Sequence, residues 1–551
     1  MKIHYKFKSF WILALSLIFV SSVSAQSLES DIDGIVSAMY TADDTGISIL
    51  VAKDGKTIYK KAFGKANLEL DVPMTTDNVF ELASITKQFT SVSILMLEEQ
   101  GKLGLQDPIT KFIPDYPTNE KTITVHHLLN HTSGIKSYTD MESFMPTARE
   151  DKTVDELIDV FKNEPMDFDP GEKFHYNNSG YIILGKIIEV VSGQTYEEFV
   201  EQHIFDKLGM TSSRYGSHKE LIKNRAFGYQ TEGDGYRNAD YLSMSLPYAA
   251  GSLMSTVDDM LKWQNALNSN TLIKRSSLEK AINGSILNDG EEISYGYGLS
   301  KGDVNGSPGY AHSGGIFGYS TNGIFLKEKN IYVIALTNCS CKNVGEVAEK
   351  VAAIANGNPF PNIKDAISLS DDQLQQWVGA YQFDEETLRF VTLEEGKLMS
   401  QRNDGEKFEI YPMKEDHFIF EDVTISYYFS VIDGKKQAIF RTGGGEFIGK
   451  EVDKAPPAGK VAINLAPEAL KKYVGTYELA PTFKIVVTAK EAQLFLQATG
   501  QPQFEIFAEA EDKFFLKVVA ASIDFVKDEN GDVASLVLHQ GGQDMPGKKV
   551  D

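Results

Sequence analysis

Three short stretches of this 551-residue chain carry side chains able to do acyl chemistry. The first is Ser84-Ile85-Thr86-Lys87. A serine hydroxyl is a weak nucleophile until a base removes its proton, and a lysine stripped of water can have its pKa lowered enough to act as that base. Residues three apart share a helix face. A helix opening at Ser84 therefore brings amine and hydroxyl within hydrogen-bond reach, with the positive helix N-terminus beside a developing oxyanion. The spacing alone is common, since Ser133 to Lys136 and Ser277 to Lys280 repeat it. The second stretch is Phe174-His175-Tyr176-Asn177-Asn178-Ser179-Gly180, where Tyr176 could relay a proton and Asn178 hold a substrate carbonyl, or where the residues could simply cap a helix. The third is Ala311-His312-Ser313-Gly314-Gly315. Small residues on a strand would let a substrate backbone approach and offer amide N–H groups to an oxyanion, unless the stretch is only a β-bulge.

The elements that must hold these residues follow from periodicity. Thr45 to Lys61 is an apolar, β-branched run interrupted by Asp54-Gly55, which predicts a hairpin, and a loop with Pro73 then leads to Ser84. Ile85, Phe89, Val92 and Met96 recur at helical spacing and predict an amphipathic helix. Tyr181 to Val191 predicts an apolar helix behind Tyr176. A second strand group is predicted near Tyr295 to Leu299, Gly309 to His312, Gly323 to Phe325 and Ile331 to Leu336, followed by a helix around Val344 to Ile354. The Pro/Asn/Gly-rich segment Asn356 to Pro361 marks a domain boundary. Beyond it the chain repeats itself: Trp377-Val378-Gly379-Ala380-Tyr381 returns 96 residues later as Tyr473-Val474-Gly475-Thr476-Tyr477. Leu398, Phe408-Glu409-Ile410 and Phe418 keep that offset with Leu494, Phe504-Glu505-Ile506 and Phe514. Alternating strands with turns such as Asp433-Gly434 and Asn530-Gly531 predict a small antiparallel β-barrel in each copy, residues 366–453 and 461–551, joined by a linker over 454–459.

At the other end, Lys2, Lys6 and Lys8 precede the apolar run Phe10 to Val20, and Val23-Ser24-Ala25 supplies the small residues of a cleavage site. Residues 1–25 therefore read as a signal peptide, which leaves residues 26–360 as the first folded domain of a periplasmic or secreted protein. The apolar run is shorter than the ~20 residues of a spanning helix and no later segment reaches that length, so no membrane span is expected in the mature chain. Loss of three lysines takes the formal charge from −23 to −26, which argues against nucleic acid or an anionic membrane as a partner. The two cysteines, Cys339 and Cys341, sit one residue apart on an apparent strand end and would point to opposite faces. A disulfide between them would be strained, so neither a disulfide scaffold nor, without Cys/His zinc spacing, a structural metal is expected, and no cofactor is implied.

The three stretches come in an order and at separations, 92 residues from Ser84 to Tyr176 and 136 more to His312, that resemble the motifs of the penicillin-recognising serine enzymes: Ser-x-x-Lys, Tyr-x-Asn and the strand motif Lys-Thr-Gly. Over residues 28–357 the chain is most similar to the class C β-lactamase branch, which also holds DD-carboxypeptidases, D-aminopeptidases and family VIII carboxylesterases. The flanking stretches His127 to Gly134 and Ala250 to Thr256 share in the resemblance. It implies an α+β, β-lactamase/transpeptidase-like domain, an antiparallel sheet flanked by helices plus an all-α region, ahead of the two barrels. It further implies Ser84 as nucleophile, Lys87 as its base and Tyr176 as proton relay to the leaving group and then to the hydrolytic water. Asn178 would position the substrate with His312, Ser313, Gly314 and Gly315, and the N–H groups of Ser84 and Gly315 would form the oxyanion hole. His312 departs from the lysine of β-lactamases and DD-peptidases and, only partly charged near neutral pH, is a weaker anchor for a substrate carboxylate. The repeats resemble the C-terminal barrels of D-aminopeptidases and of a related archaeal peptidase, in which a barrel loop can reach the cleft. The expected protein is an exported serine hydrolase that cleaves an amide or ester of a small molecule or short peptide through an acyl-serine. A peptidase for D-amino-acid-containing or other small peptides leads, and a carboxylesterase is second. A true β-lactamase and a non-catalytic binding protein follow, and the oligomeric state stays open.

Overall fold

In the computed structural model the described residues are 28–550, apart from 234, 443–444, 458–461, 481–482, 500–502, 518–520, 529 and 541–542. The expected signal peptide and part of the expected linker lie outside them. The boundary between two compact units falls between Phe360 and Pro361.

The first unit is built on six antiparallel strands: β1 (Ile47–Lys53), β2 (Lys56–Phe63), β3 (Ser300–Val304), β4 (Ser307–Ile316), β5 (Tyr319–Leu326) and β6 (Ile331–Thr337), ordered β3-β4-β5-β6-β1-β2. Asp54 and Gly55 join β1 to β2 with φ of 51° and 73°, the left-handed pair that suits a two-residue hairpin loop. Both faces of the sheet centre are covered. In β6, Ile331, Val333 and Ala335 enter one core while Tyr332, Ile334 and Leu336 enter the other, as side-chain alternation requires. The larger core receives α1 (Thr86–Glu99), α2 (Asn178–Ser192) and α3 (Val257–Asn268), and the smaller is closed by a helix over 28–39 together with α4 (Val344–Ala355).

Two features depart from the sequence reading here. Helix α1 is buried on every side from Thr86 to Leu97, so it is an interior helix and not an amphipathic one. Its polar side chains are satisfied inside: Thr90 donates to Ala249 O at 2.6 Å, and Gln88 accepts from the Trp263 indole at 2.9 Å while Phe89 stacks on the same ring at 4.0 Å. Residues Tyr295 to Leu299 form a loop between short strands, not a strand. A Cβ on Gly298, whose φ is +68°, would lie 2.6 Å from Lys87 O, so this loop presses on α1 only because no side chain intervenes.

The cysteines are a third correction. Strand alternation stops at Thr337, and in the turn that follows Cys339 and Cys341 are joined as a disulfide, their Cα atoms 5.1 Å apart. That separation is within the range a disulfide spans, because the backbone has turned and the opposite-face rule no longer applies.

The second unit holds two closed eight-stranded antiparallel barrels, one from Gly379–Gln382 to Gly445–Val452 and one from Gly475–Ala480 to Gln543–Lys549. Each closes by pairing its first strand with its last, Ala380 with Val452 and Tyr477 with Lys549. Each is preceded by a one-turn helix, Asp371–Gln375 or Pro467–Leu470, and has its own apolar core. The described residues include no helix long and apolar enough to cross a membrane.

Candidate active site

Ser84 stands on a strand–turn–helix junction. Phe80–Glu81 pairs with Leu253–Ser255, Leu82 N donates to Leu253 O at 2.8 Å, and Ala83 then takes a left-handed φ of +50° before the helical turn that carries Ser84 into α1. An L-residue in that conformation costs about 1–2 kcal/mol, held here by the packing around it. Strand β4 crosses directly over the turn: a Cβ on Gly314 would meet Leu82 O at 2.3 Å and Ala83 Cβ at 3.1 Å. Gly314 therefore seats the nucleophile turn through its lack of a side chain. A Cβ on Gly315 would meet nothing within 4 Å, and this exposed residue lines the cleft.

Lys87 lies one turn into the helix and is fully buried. Its Nζ is 3.1 Å from Ser84 Oγ, 2.8 Å from Asn178 Oδ1 and 2.9 Å from Ala250 O. Desolvation holds its pKa well below the ordinary lysine value. A neutral amine has two N–H bonds and one lone pair. The amide oxygen of Asn178 and the carbonyl of Ala250 can only accept, so they take both N–H bonds and the lone pair is left facing the Ser84 hydroxyl. Asn178 is held in that orientation by its own Nδ2, which donates to Thr139 Oγ1 at 3.0 Å, while Asn177 caps α2 by accepting from Gly180 N at 2.8 Å.

Tyr176 closes the site from the other side, with Lys87 Nζ 4.8 Å from its ring centroid. Burial raises its phenol pKa, an effect the nearby Ser84 hydroxyl opposes, and its oxygen is buried without a protein hydrogen bond of ordinary geometry. Behind it the ring of His131 lies 4.3 Å from Tyr176 and 4.5 Å from Tyr295. His131 Nδ1 accepts from Asn177 N at 3.0 Å, and its backbone sits at φ +62°, a strained position for a non-glycine residue.

His312 is buried beside these groups, its ring 6.3 Å from that of Tyr176. Its Nδ1 faces Ser313 O at 2.6 Å and must carry the proton, so Nε2 accepts from Tyr295 OH at 2.9 Å. Burial, and then Lys87 whenever it is protonated, push its pKa down to about 4. The ring is neutral at neutral pH, which corrects the partly charged state expected from its type. Ser313 is exposed on β4. The other two Ser-x-x-Lys pairs stand apart: Ser277 and Lys280 bind Glu99 and Glu98, and Lys136 pairs with Asp167. Ala250, Thr139, His131 and Tyr295 carry no role in the sequence reading.

The cleft in front of Ser84 encloses about 420 Å³. Tyr138, Phe144, Leu242, Pro247, Ile316 and Phe317 make its walls largely apolar, and among the described residues lining it none is Lys, Arg, Asp, Glu or His. No group of described His, Cys, Asp or Glu residues is arranged to hold a metal ion.

Comparison with known proteins places this geometry in context. Residues 35–356 match the family described as Beta-lactamase, and residues 460–549 match a domain of unknown function, DUF3471. The chain is 30% identical over 423 residues to a penicillin-binding protein of Bacillus subtilis (strain 168), covering 72% of this chain and 93% of that one. The octameric penicillin-binding protein homologue from Pyrococcus abyssi superimposes with a TM-score of 0.54 at 27% identity, over 77% of this chain and 99% of that one. A D-amino acid amidase from Ochrobactrum anthropi SV3 gives a TM-score of 0.54 at 26% identity, over 60% and 99%.

Proposed function

The chain belongs to the beta-lactamase family as one of its serine hydrolases, and from that premise we propose that it is exported and cleaves amides whose acyl group is uncharged and largely apolar next to the scissile bond, through an acyl-Ser84 intermediate. The observation that carries the reading is the Lys87 amine, whose two N–H bonds are taken by Asn178 and Ala250 so that its lone pair meets the Ser84 hydroxyl. Lys87 accepts the Ser84 proton as Oγ bonds to the substrate carbonyl carbon, and the N–H groups of Ser84 and Gly315 receive the oxyanion. Collapse of the tetrahedral adduct breaks the bond to the leaving group, which takes a proton through Tyr176. Water then adds to the acyl carbon, gives its proton back along the same path and frees the acid.

The uncharged lining favours substrates with neither a carboxylate nor an ammonium next to the scissile bond. The same observation supports a carboxylesterase as the second reading, and a His312 kept neutral by burial and hydrogen-bonded to Tyr295 and Ser313 counts against efficient β-lactam hydrolysis. The test is intact mass after treatment with a fluorophosphonate, followed by a panel of nitrophenyl esters, D-amino-acid amides and nitrocefin. One adduct per chain is expected, absent from Ser84→Ala. Labelling that survived the substitution would remove Ser84 from its role, and turnover of esters alone would leave the esterase reading in place of the amidase.

A further inference from the structure

The cleft shares a wall with a second cavity. Leu242 and Phe317 line both, and the second cavity, of about 250 Å³, has Arg225 and Glu81 among its lining residues. Arg225 Nη2 donates to Glu81 Oε1 at 2.7 Å, with the Glu81 side chain 5% exposed and the Arg225 side chain 22%. The cation therefore faces the space and the anion lies beneath it. Ser217 O takes an Nη1 hydrogen at 3.1 Å, and His218 Nδ1 lies 3.2 Å from Nη2. Asp240, the other acid in the lining, is held by two hydrogen bonds from Arg237, at 3.0 and 2.8 Å. His218 is kept neutral by burial and by Arg225, and burial raises the Glu81 carboxyl to about 7, so at neutral pH it offsets only part of the guanidinium charge. Phe227 and Tyr241, 54% and 43% exposed, give the cavity apolar sides. With Nη2 engaged by Glu81 and His218 and one Nη1 hydrogen by Ser217 O, the second Nη1 hydrogen remains to meet an anion, and a partly exposed cation beside exposed aromatic surface suits a carboxylate on an apolar spacer.

We propose that this second cavity is a subsite for the far end of the acyl group and that Arg225 selects a terminal carboxylate there. The direction follows from the reading of Ser84, on which this inference rests. Tyr176 hands a proton to the leaving group, so the leaving group departs at the Tyr176 end of the cleft, where the Tyr176 and His312 rings are 6.3 Å apart. The acyl part then runs the other way along β4, past Gly315 and Ile316, to Phe317. That residue walls the second cavity, and Tyr319 across the turn lines it too. The preferred substrate has an uncharged reacting centre and a carboxylate some atoms away, a pattern the cleft lining alone would not reveal.

The test uses the full chain and two matched series of p-nitrophenyl esters, ω-carboxyalkanoyl esters of rising chain length and their methyl-capped counterparts. Beyond a threshold length, KM for the acid is expected to fall about tenfold below that of the capped ester with kcat little changed. Asn238 also lines the second cavity, so Asn238→Trp fills it, leaves the Glu81–Arg225 pair in place and should erase that gap; Arg225→Lys keeps the charge but loses the N–H placement of the guanidinium and should shrink it. Thermal unfolding checks that each variant is folded. Parallel KM values for acids and capped esters at every length, or a gap that persists in Asn238→Trp, would overturn the subsite. A failure of the underlying reading shows separately, as p-nitrophenyl acetate that leaves no acetyl group on Ser84.

Discussion

At the residue scale the site turns on how one amine spends its hydrogens. Because Asn178 Oδ1 and Ala250 O occupy both N–H bonds of a neutral Lys87, any change that makes a charged ammonium cheaper should disarm the base. Asn178→Asp is nearly isosteric and puts an anion where the amide oxygen lies 2.8 Å from Nζ. An opposite charge at that range favours the protonated lysine by about 1–3 pKa units. The acid limb of kcat/KM for a short ester should therefore move to higher pH by at least about one unit, whereas the parent chain reaches its plateau well below the ordinary lysine range near 10.4. A limb that stays in place would mean that another group governs it. Ser84, Lys87, Tyr176 and Asn178 could be singled out in the sequence because the roles proposed for them depend on side-chain type and fixed spacing, and the structure brings Lys87 within hydrogen-bond reach of Ser84 and Asn178. Ala250 was not, since it acts through a backbone carbonyl that any residue supplies. Tyr295 was hidden for another reason: its partner His312 belongs to a recognisable motif, but Tyr295 lies in a glycine-bearing loop that reads as a strand.

At the scale of elements, periodicity reports which residues are apolar, not how many sides of an element are covered. Helix α1 shows an apolar stripe, yet its Thr, Ser and Gln side chains are buried too, because Thr86, Gln88, Thr90 and Ser91 find partners on neighbouring elements and Ser93 donates back to Phe89 O at 2.8 Å. The repeat was legible for the opposite reason, since the same contacts recur at a fixed offset. The buried pairs Tyr427 and Ile523, then Phe429 and Phe525, extend the 96-residue register beyond what residue identity shows. The copies fall out of step only where the two-residue turn Asp433-Gly434 is replaced by residues 528–532. Both copies keep one hydrogen bond: Tyr381 OH donates to Trp377 O at 2.7 Å, and Tyr477 OH to Tyr473 O at 2.8 Å, tying the first strand of each barrel to the helical turn before it. Tyr381→Phe and Tyr477→Phe should each cost about 1–2 kcal/mol by leaving a buried carbonyl unpaired. The costs should add in the double variant, because the two bonds lie in separate cores. Chemical denaturation of the full chain measures this, and a coupling energy well above a few tenths of a kcal/mol would show that the barrels do not unfold as separate cores.

At the scale of the whole molecule, the buried histidines of the first unit set how it responds to acid. His312 is held near a pKa of about 4 and His127 likewise, His131 lower than its ordinary value, all chiefly by burial. In the unfolded chain each titrates near 6.5, so between those values the unfolded state binds more protons and stability falls as pH falls. The contribution is fully present above about 6.5 and is lost as pH drops through the folded pKa. For His312, which is 7% exposed, it amounts to about 3 kcal/mol. Glu81 works against this: its carboxyl is raised to about 7, so its favourable contribution is whole below the ordinary glutamate range and lost as pH rises through about 7. His126, His203 and His218 are lowered as well, and together with these three they outweigh the raised carboxyls of Glu81, Glu197 and Glu201. In the second unit His417 alone among the described histidines is lowered to about 4. Acidification from pH 7 to pH 5 should therefore lower the thermal transition that abolishes ester turnover by more than the transition that melts the barrels. His312→Asn, which cannot take up a proton, should narrow the difference. Calorimetry with residual-activity assays at the two pH values decides the matter: transitions that shift in parallel, or a His312→Asn chain as acid-sensitive as its parent, would show that the buried imidazoles are not what makes the first unit the more acid-sensitive.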